Sequence, residues 1–320
     1  MKIIRENDES NVKTTNLTRK EFDKLLKQIA DNTYCYNNLE LTTDFLYPAG
    51  RKEHDDAFAM FVNALKQNSY IKKLSLVHQG ITNEGANALA EVDTLEEINL
   101  EKNVLFTEAF VALVKSNVKI LSLEQNTYIS NYYYGQKDHA ELPNVLTTNK
   151  IITDLNLSKT LSDNDFIAAI FANNTSIKIL DLSCNHPYVE GLRPLEHNKT
   201  LQHLDLSRCR LTDEAAEIIA KNSGLHTLII DESKITNKGG QFLSTHPTLK
   251  VLSIIDSDMT AEGLRCFLSS GLEKLTPDNV KKTLITEIEL CEFFREFDTR
   301  HREDIEEVTE VGETNLPSVE

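Results

Sequence analysis

Between Ile71 and Ile254 an apolar pattern of the form L-x-x-L-x-L returns eight times, at a spacing of about two dozen residues. It opens at Ile71, Leu95, Val118, Ile152, Ile177, Leu201, Leu225 and Leu249. Its paired positions are Leu74 and Leu76, Ile98 and Leu100, Leu121 and Leu123, Leu155 and Leu157, Leu180 and Leu182, Leu204 and Leu206, Leu228 and Ile230, and Leu252 and Ile254. No single copy can cover its own apolar side chains, so each needs a stacked neighbour. An array of this kind grows by addition, and 320 residues need not divide into separate globular domains.

The L-x-L spacing predicts a short strand with its leucines facing inward, because successive strand side chains alternate faces. Three residues later comes a small or polar column: Gln79, Asn103, Asn126, Thr160, Asn185, Cys209, Ser233 and Ser257. There the chain turns off the strand and leaves backbone groups unpaired, and a short side chain can satisfy them. Cys209 reads as structural for that reason. Each repeat then enters an amphipathic helix, such as Thr82–Ala90 or Thr212–Ala220. Thr82, Thr107, Ser162, Thr212, Thr236 and Thr260 are expected as N-caps. Asn68, Asn149, Asn174, Asn198 and Asn222 are expected to end helices in the left-handed conformation.

Parallel strands stack ~4.8 Å apart whereas helices need roughly 8–10 Å. The expected fold is therefore α/β, a leucine-rich-repeat solenoid curved as a horseshoe, with a parallel sheet on the concave side and helices on the convex side. The run Gly85-Ala86-Asn87-Ala88-Leu89-Ala90 and the repeat spacing resemble the GALA type of leucine-rich repeat, close to the ribonuclease-inhibitor class. GALA proteins include bacterial effectors delivered into host cells, with an N-terminal F-box that recruits a ubiquitin ligase. Residues 1–35 show one helix in place of that F-box.

The reading divides the chain into an N-terminal capping helix region (1–35), a repeat domain of about nine repeats (36–271, with an insertion at 127–150), a C-terminal capping helix (272–300) and an acidic disordered tail (301–320). Thr18-Arg19-Lys20-Glu21 is a capping box opening a helix with Phe22, Leu25, Leu26 and Ile29 on one side. Leu39 and Leu41 form a degenerate first strand pair, with Asp55–Leu65 as its helix. Thr276-Pro277 is expected to start the last helix, with Val280, Leu284, Ile288, Phe294 and Phe297 on its apolar face and Cys291 packed beside them.

Residues 303–320 hold seven acidic groups and no basic one, the composition of a solvated tail. Within it, Glu306-Glu307-Val308-Thr309-Glu310 resembles the E-block of Legionella-type Dot/Icm type IV secretion substrates, which marks Glu306, Glu307 and Glu310 as a secretion signal. The insertion carries Tyr132, Tyr133 and Tyr134. Tyrosine supplies rigid contact area with a polar tip, and insertions in repeat proteins map to binding loops.

A net charge of −16 makes nucleic acid and anionic membranes poor partners. The early acidic residues and the lack of an apolar core near Met1 predict no secretory signal peptide, and no apolar run is long enough to span a bilayer. Five scattered cysteines without a C-x-x-C pair read as reduced thiols.

No phosphate loop, nucleophile elbow or zinc motif is present. Cys184, Asp181, His203 and Asp205 fall on adjacent strands, but Cys184 follows its core pair and His203 precedes its own. Three or four strand residues separate them by ~13 Å, too far for a hydrogen-bonded dyad. No catalytic residue, cofactor or metal is expected.

The concave columns are acidic, with Glu101, Glu124, Asp181, Asp205, Asp231, Glu232 and Asp256 against few bases, Arg208 among them. Ile255, with Ile229 and Val251, supplies an apolar anchor. The function expected is a non-enzymatic, monomeric protein-binding module, a secreted effector that moves from the bacterial cytoplasm to the host cytosol. Its partner is a host protein with a basic or mixed surface, held by those residues and Tyr132–Tyr134. The alternative is a substrate-recognition adaptor of a ubiquitin ligase.

Overall fold

The computed structural model describes residues 3–4, 11–15, 17–42, 52–126, 141–160, 164–276 and 293–298. The chain forms two compact units, Met1–Asp205 and Leu206–Glu320.

In the first unit strands alternate with helices: β1 (Ile3–Ile4), β2 (Asn11–Thr15), α1 (Arg19–Ala30), β3 (Asn38–Thr42), α2 (Lys52–Gln67), β4 (Lys73–Ser75), α3 (Asn83–Ala90) and β5 (Glu97–Asn99). They continue through α4 (Thr107–Lys115), β6 (Ile120–Ser122), α5 (Glu141–Thr148), β7 (Asp154–Asn156), α6 (Asn164–Asn173), β8 (Ile179–Asp181), α7 (Val189–Leu192) and β9 (His203–Asp205). Strands β2 to β9 pair in parallel, each with the next in sequence. Strand β1 pairs antiparallel with β2. The second unit holds α8 (Asp213–Ala220), β10 (Thr227–Ile229), α9 (Asn237–Ser244), β11 (Val251–Ser253), α10 (Ala261–Arg265) and β12 (Lys274–Thr276), with β10, β11 and β12 parallel. This is the leucine-rich-repeat solenoid architecture.

Every paired core leucine or isoleucine of the repeats is buried. At about 2 kcal/mol for burying each such side chain, this column is a major favourable contribution to the fold. Ala86 and Leu89 of α3, Phe110 and Leu113 of α4, and Phe166 and Ile170 of α6 close the core from the helical side. The rings of Phe110 and Phe166 meet edge-on, 5.6 Å between centroids. Strands β1, β2 and β12 were not anticipated, since none carries the full repeat pattern. The apolar face of residues 293–298 is formed by Phe293 and Phe297, while Phe294 is half-buried. The expected partners Val280, Leu284, Ile288 and Cys291 lie outside the described residues.

In the column after the strands the asparagines bond as expected, whereas Ser233 Oγ is buried without a hydrogen-bond partner. Asn103 accepts the backbone N–H groups of Gln79 (3.0 Å) and Ile81 (2.9 Å) and donates to the carbonyls of Leu76 and Leu100. Asn126 and Asn185 repeat that donation between their own and the preceding repeat. One side chain thus serves two repeats.

The helix-closing asparagines are not left-handed. Asn68, Asn149, Asn174 and Asn198 form a second ladder: each accepts two backbone N–H groups just ahead and donates to a carbonyl of the preceding repeat. Asn222 accepts from Gly224 and Leu225 in the same way. Among the described residues the only left-handed asparagine is Asn32, after α1. Left-handed backbone instead recurs three residues past the end of each strand from β4 to β11: His78, Lys102, Gln125, Lys159, Cys184, Arg208, Glu232 and Asp256, with φ between 53° and 59°. That conformation costs a β-carbon-bearing residue ~1–2 kcal/mol. It lets the backbone N–H groups of His78, Lys102, Gln125 and Lys159 reach the carbonyls of Glu101, Glu124, Ser158 and Ser183 in the next repeat, prolonging the ladder.

Helix starts are also joined between repeats. Thr18 forms its capping box with Glu21, and Thr82 and Thr236 cap through their side chains. Thr212 and Thr260 stand at N-cap positions without a side-chain bond to their own helix, and Thr107 lies inside α4, whose N-cap is Phe106. The first helical residue of one repeat supplies the missing acceptor to the next: Asn83 to the N–H of Phe106, Asn164 to Tyr188, Asp213 to Thr236, and Asn237 to Thr260. Ser162 lies outside the described residues.

Candidate protein-binding face

In the first unit the outward side chains of the parallel strands form rows whose order is set by register. One row runs Lys73, Glu97, Ile120, Asp154, Ile179 and His203. The next runs Ser75, Asn99, Ser122, Asn156, Asp181 and Asp205. Buried leucines between the rows hold both to the core.

Several of the acids are used by the fold itself. Asn99, Asn156 and Asp181 accept the backbone N–H two residues on, from Glu101, Ser158 and Ser183, at 3.0, 2.9 and 2.8 Å. Asp181 is therefore a turn-forming residue. Glu101 accepts from the Ser122 hydroxyl at 3.0 Å. Glu124 faces the Lys159 ammonium at 3.3 Å, and Glu97 faces Lys73 at 2.8 Å. Asp205 is half-exposed at the end of its row. On the edge where chains enter the strands, Lys119 lies 2.6 Å from Glu96 and Lys66 2.7 Å from Glu91. Each ammonium holds its carboxylate below the usual range by hydrogen bonding and charge.

In the second unit Arg208 and Glu232 form an ion pair, with Nε 2.7 Å from Oε1. Asp231 accepts from the Ser253 hydroxyl (2.7 Å) and from the backbone N–H of Ile255 (2.9 Å). Ile229, Val251, Ile255 and Asp256 are half-buried. Tyr132, Tyr133, Tyr134, Glu306, Glu307 and Glu310 lie outside the described residues.

Among the described side chains, the most exposed aliphatic ones of the strands are Ile120 (40 %) and Ile179 (43 %), both in the first unit. They were in the outward column but not singled out from sequence, because the pattern alone does not grade exposure within a column. Phe106 and Tyr188, exposed at the N-cap positions of α4 and α7, were likewise missed.

Cys184 occupies a left-handed turn position, and no hydrogen bond joins it to His203. Among the described residues no group of three or more His, Cys, Asp or Glu is placed to hold a metal ion. No helix among them is long and apolar enough to cross a membrane.

A family model described as "Leucine Rich repeat" matches residues 173–186 and 197–220. No curated protein matches the chain. Among solved structures, the leiomodin-1 actin-binding site 2 is similar at 16 % identity, covering 55 % of this chain and 99 % of that one, with a TM-score of 0.35. A chain of the TLR13–ssRNA13 complex is similar at 17 % identity and a TM-score of 0.47. That match covers 76 % of this chain and 36 % of the other. No argument about ligand or partner rests on either likeness.

Proposed function

We propose that this leucine-rich-repeat chain is a non-enzymatic protein-binding module that presents the outward rows of its parallel sheet to a partner. The observation that carries the reading is the composition of those rows: carboxylates interleaved with half-exposed isoleucines, on strands held by a buried leucine column and two asparagine ladders. Such a surface offers apolar contact inside a polar rim, preorganised by the core beneath it. Its action is occlusion or scaffolding, without covalent chemistry. The partner it fits is a protein with a basic or mixed surface.

The test neutralises the wall while keeping its turns. Glu124→Gln, Asp181→Asn and Asp205→Asn of the first unit are combined in the full chain, Asp231→Asn of the second unit is made separately, and the proteins each retains from host-cell lysate are compared by mass spectrometry. Loss of specific partners is expected. An unchanged partner set counts against the sheet face.

The chain is further proposed to be a secreted bacterial effector acting on a host protein in the host cytosol. The support is in the sequence: the GALA-like repeat and the E-block-like Glu306-Glu307-Val308-Thr309-Glu310 in an acidic tail. Removing residues 303–320 from a translocation reporter is expected to stop delivery. Delivery that persists would remove the secretion reading and leave the binding module untouched. Nothing favours the ligase-adaptor alternative, since α1 turns its apolar residues Phe22, Leu25, Leu26 and Ile29 into the core.

A further inference from the structure

On the first unit's sheet, Asp154 stands between two exposed isoleucines, Ile120 and Ile179. Parallel register sets Ile120 opposite it on β6 and Ile179 opposite it on β8. Two strand spacings separate the isoleucines by about 10 Å, which leaves a slot over the carboxylate. The walls of that slot are apolar and its floor is anionic.

The carboxylate is oriented in advance. The Thr153 hydroxyl donates to Asp154 Oδ2 at 2.5 Å and also lies 3.4 Å from the Lys119 carbonyl. It has no cation among the described residues. Glu97 in the same row is matched by Lys73, and Glu124 nearby by Lys159. The Lys119 ammonium, next in sequence to Ile120, is drawn to Glu96. Lys178, next to Ile179, makes no ion pair with Asp154. Among the described residues, a chain of net charge −16 thus has one held carboxylate, flanked by two exposed isoleucines, with no cation of its own set against it.

We propose that this slot takes an arginine side chain of the partner protein, a specification that rests on the sheet-face reading above. The guanidinium is planar and weakly hydrated, so its faces can lie against Ile120 and Ile179 while an N–H edge meets Asp154. Its aliphatic stem adds apolar contact on leaving solvent. An acidic or purely apolar partner segment would leave either the carboxylate or the slot walls unmatched.

The experiment uses the full chain with labelled isoleucine δ1-methyl groups. It is titrated by NMR with acetyl-Ala-Ala-Arg-Ala-Ala amide and with the same peptide carrying citrulline, which keeps the shape and removes the charge. The Ile120 and Ile179 methyl signals are expected to shift together and saturate. The response should weaken roughly tenfold with citrulline, and equally with arginine added to Asp154→Asn. Equal responses to the two peptides, an unaltered response in Asp154→Asn, or shifts confined to other isoleucines would each overturn the assignment. If the slot fails while the neutralised wall still loses its lysate partners, the binding-module reading stands. If the slot responds and the neutralised wall keeps every partner, only the slot stands.

Discussion

The backbone N–H of Gly239 donates to Asp213 Oδ1 at 3.0 Å, and a β-carbon added to Gly239 would stand 2.5 Å from that same oxygen. The glycine is required because the preceding repeat's first helical residue occupies the space of its side chain. Gly191 and Gly263 meet Asn164 and Asn237 in the same way. In these three repeats the glycine marks where one repeat caps the next helix, whereas Gly85 of the GALA-like motif faces the Phe58 ring and the Ile81 methyl.

Gly239→Ala is expected to destabilise the chain by about 1–3 kcal/mol, through the clash with Asp213 and with the Ile235 methyl. In a double-mutant cycle with Asp213→Ala, part of that loss should return, because the oxygen in the way is gone. Denaturant unfolding of the four proteins checks it. Strictly additive losses would mean the Asp213 contact is not what excludes alanine.

Asn103→Ala leaves the N–H groups of Gln79 and Ile81 and the Leu76 carbonyl buried without their partner. A loss of about 3–5 kcal/mol is expected. Asn103→Asp should fare no better, since a carboxylate cannot donate to the Leu76 and Leu100 carbonyls. Thermal unfolding distinguishes this from an exposed control such as Asn117→Ala, which should change stability by less than about 0.5 kcal/mol.

His246 takes the helix-closing asparagine position in its repeat. Its Nδ1 accepts from the backbone N–H groups of Thr248 and Leu249, while Nε2 is buried with no partner. Burial, with a smaller contribution from His226, lowers its pKa to about 4 from 6.5. The unfolded chain therefore takes up the proton first, and stability falls on acidification from 6.5 towards 4. His246→Asn is expected to raise stability by about 1 kcal/mol at neutral pH, by supplying the amide that the other repeats use. It should also flatten this part of the stability–pH curve. An unchanged acid slope would assign the pH dependence to other groups.

Lys102 adopts φ 58° and makes no ion pair among the described residues. Lys102→Gly is expected to be neutral or stabilising by up to ~1 kcal/mol, and Lys102→Val destabilising by more than 1 kcal/mol, because branching at the β-carbon sharpens the left-handed clash. Comparing unfolding midpoints tests both signs at once.

The leucine comb made the strands, the helices and their parallel order legible, because each depends on a local alternation that a single repeat already contains. The Asn103 column was readable for the same reason: a polar residue at a fixed distance past a strand has one task. What tertiary structure decided were properties of pairs of repeats. Asn68 and Asn149 look like helix terminators one at a time, and only a neighbouring carbonyl shows them to be cross-repeat ties. The left-handed turns at His78 and Lys102 carry no glycine to announce them, since their conformation is imposed by the carbonyls they reach in the next repeat. Ile120, Asp154 and Ile179 lie 34 and 25 positions apart in sequence, yet stacking brings them side by side, and register alone turns three unremarkable residues into one surface.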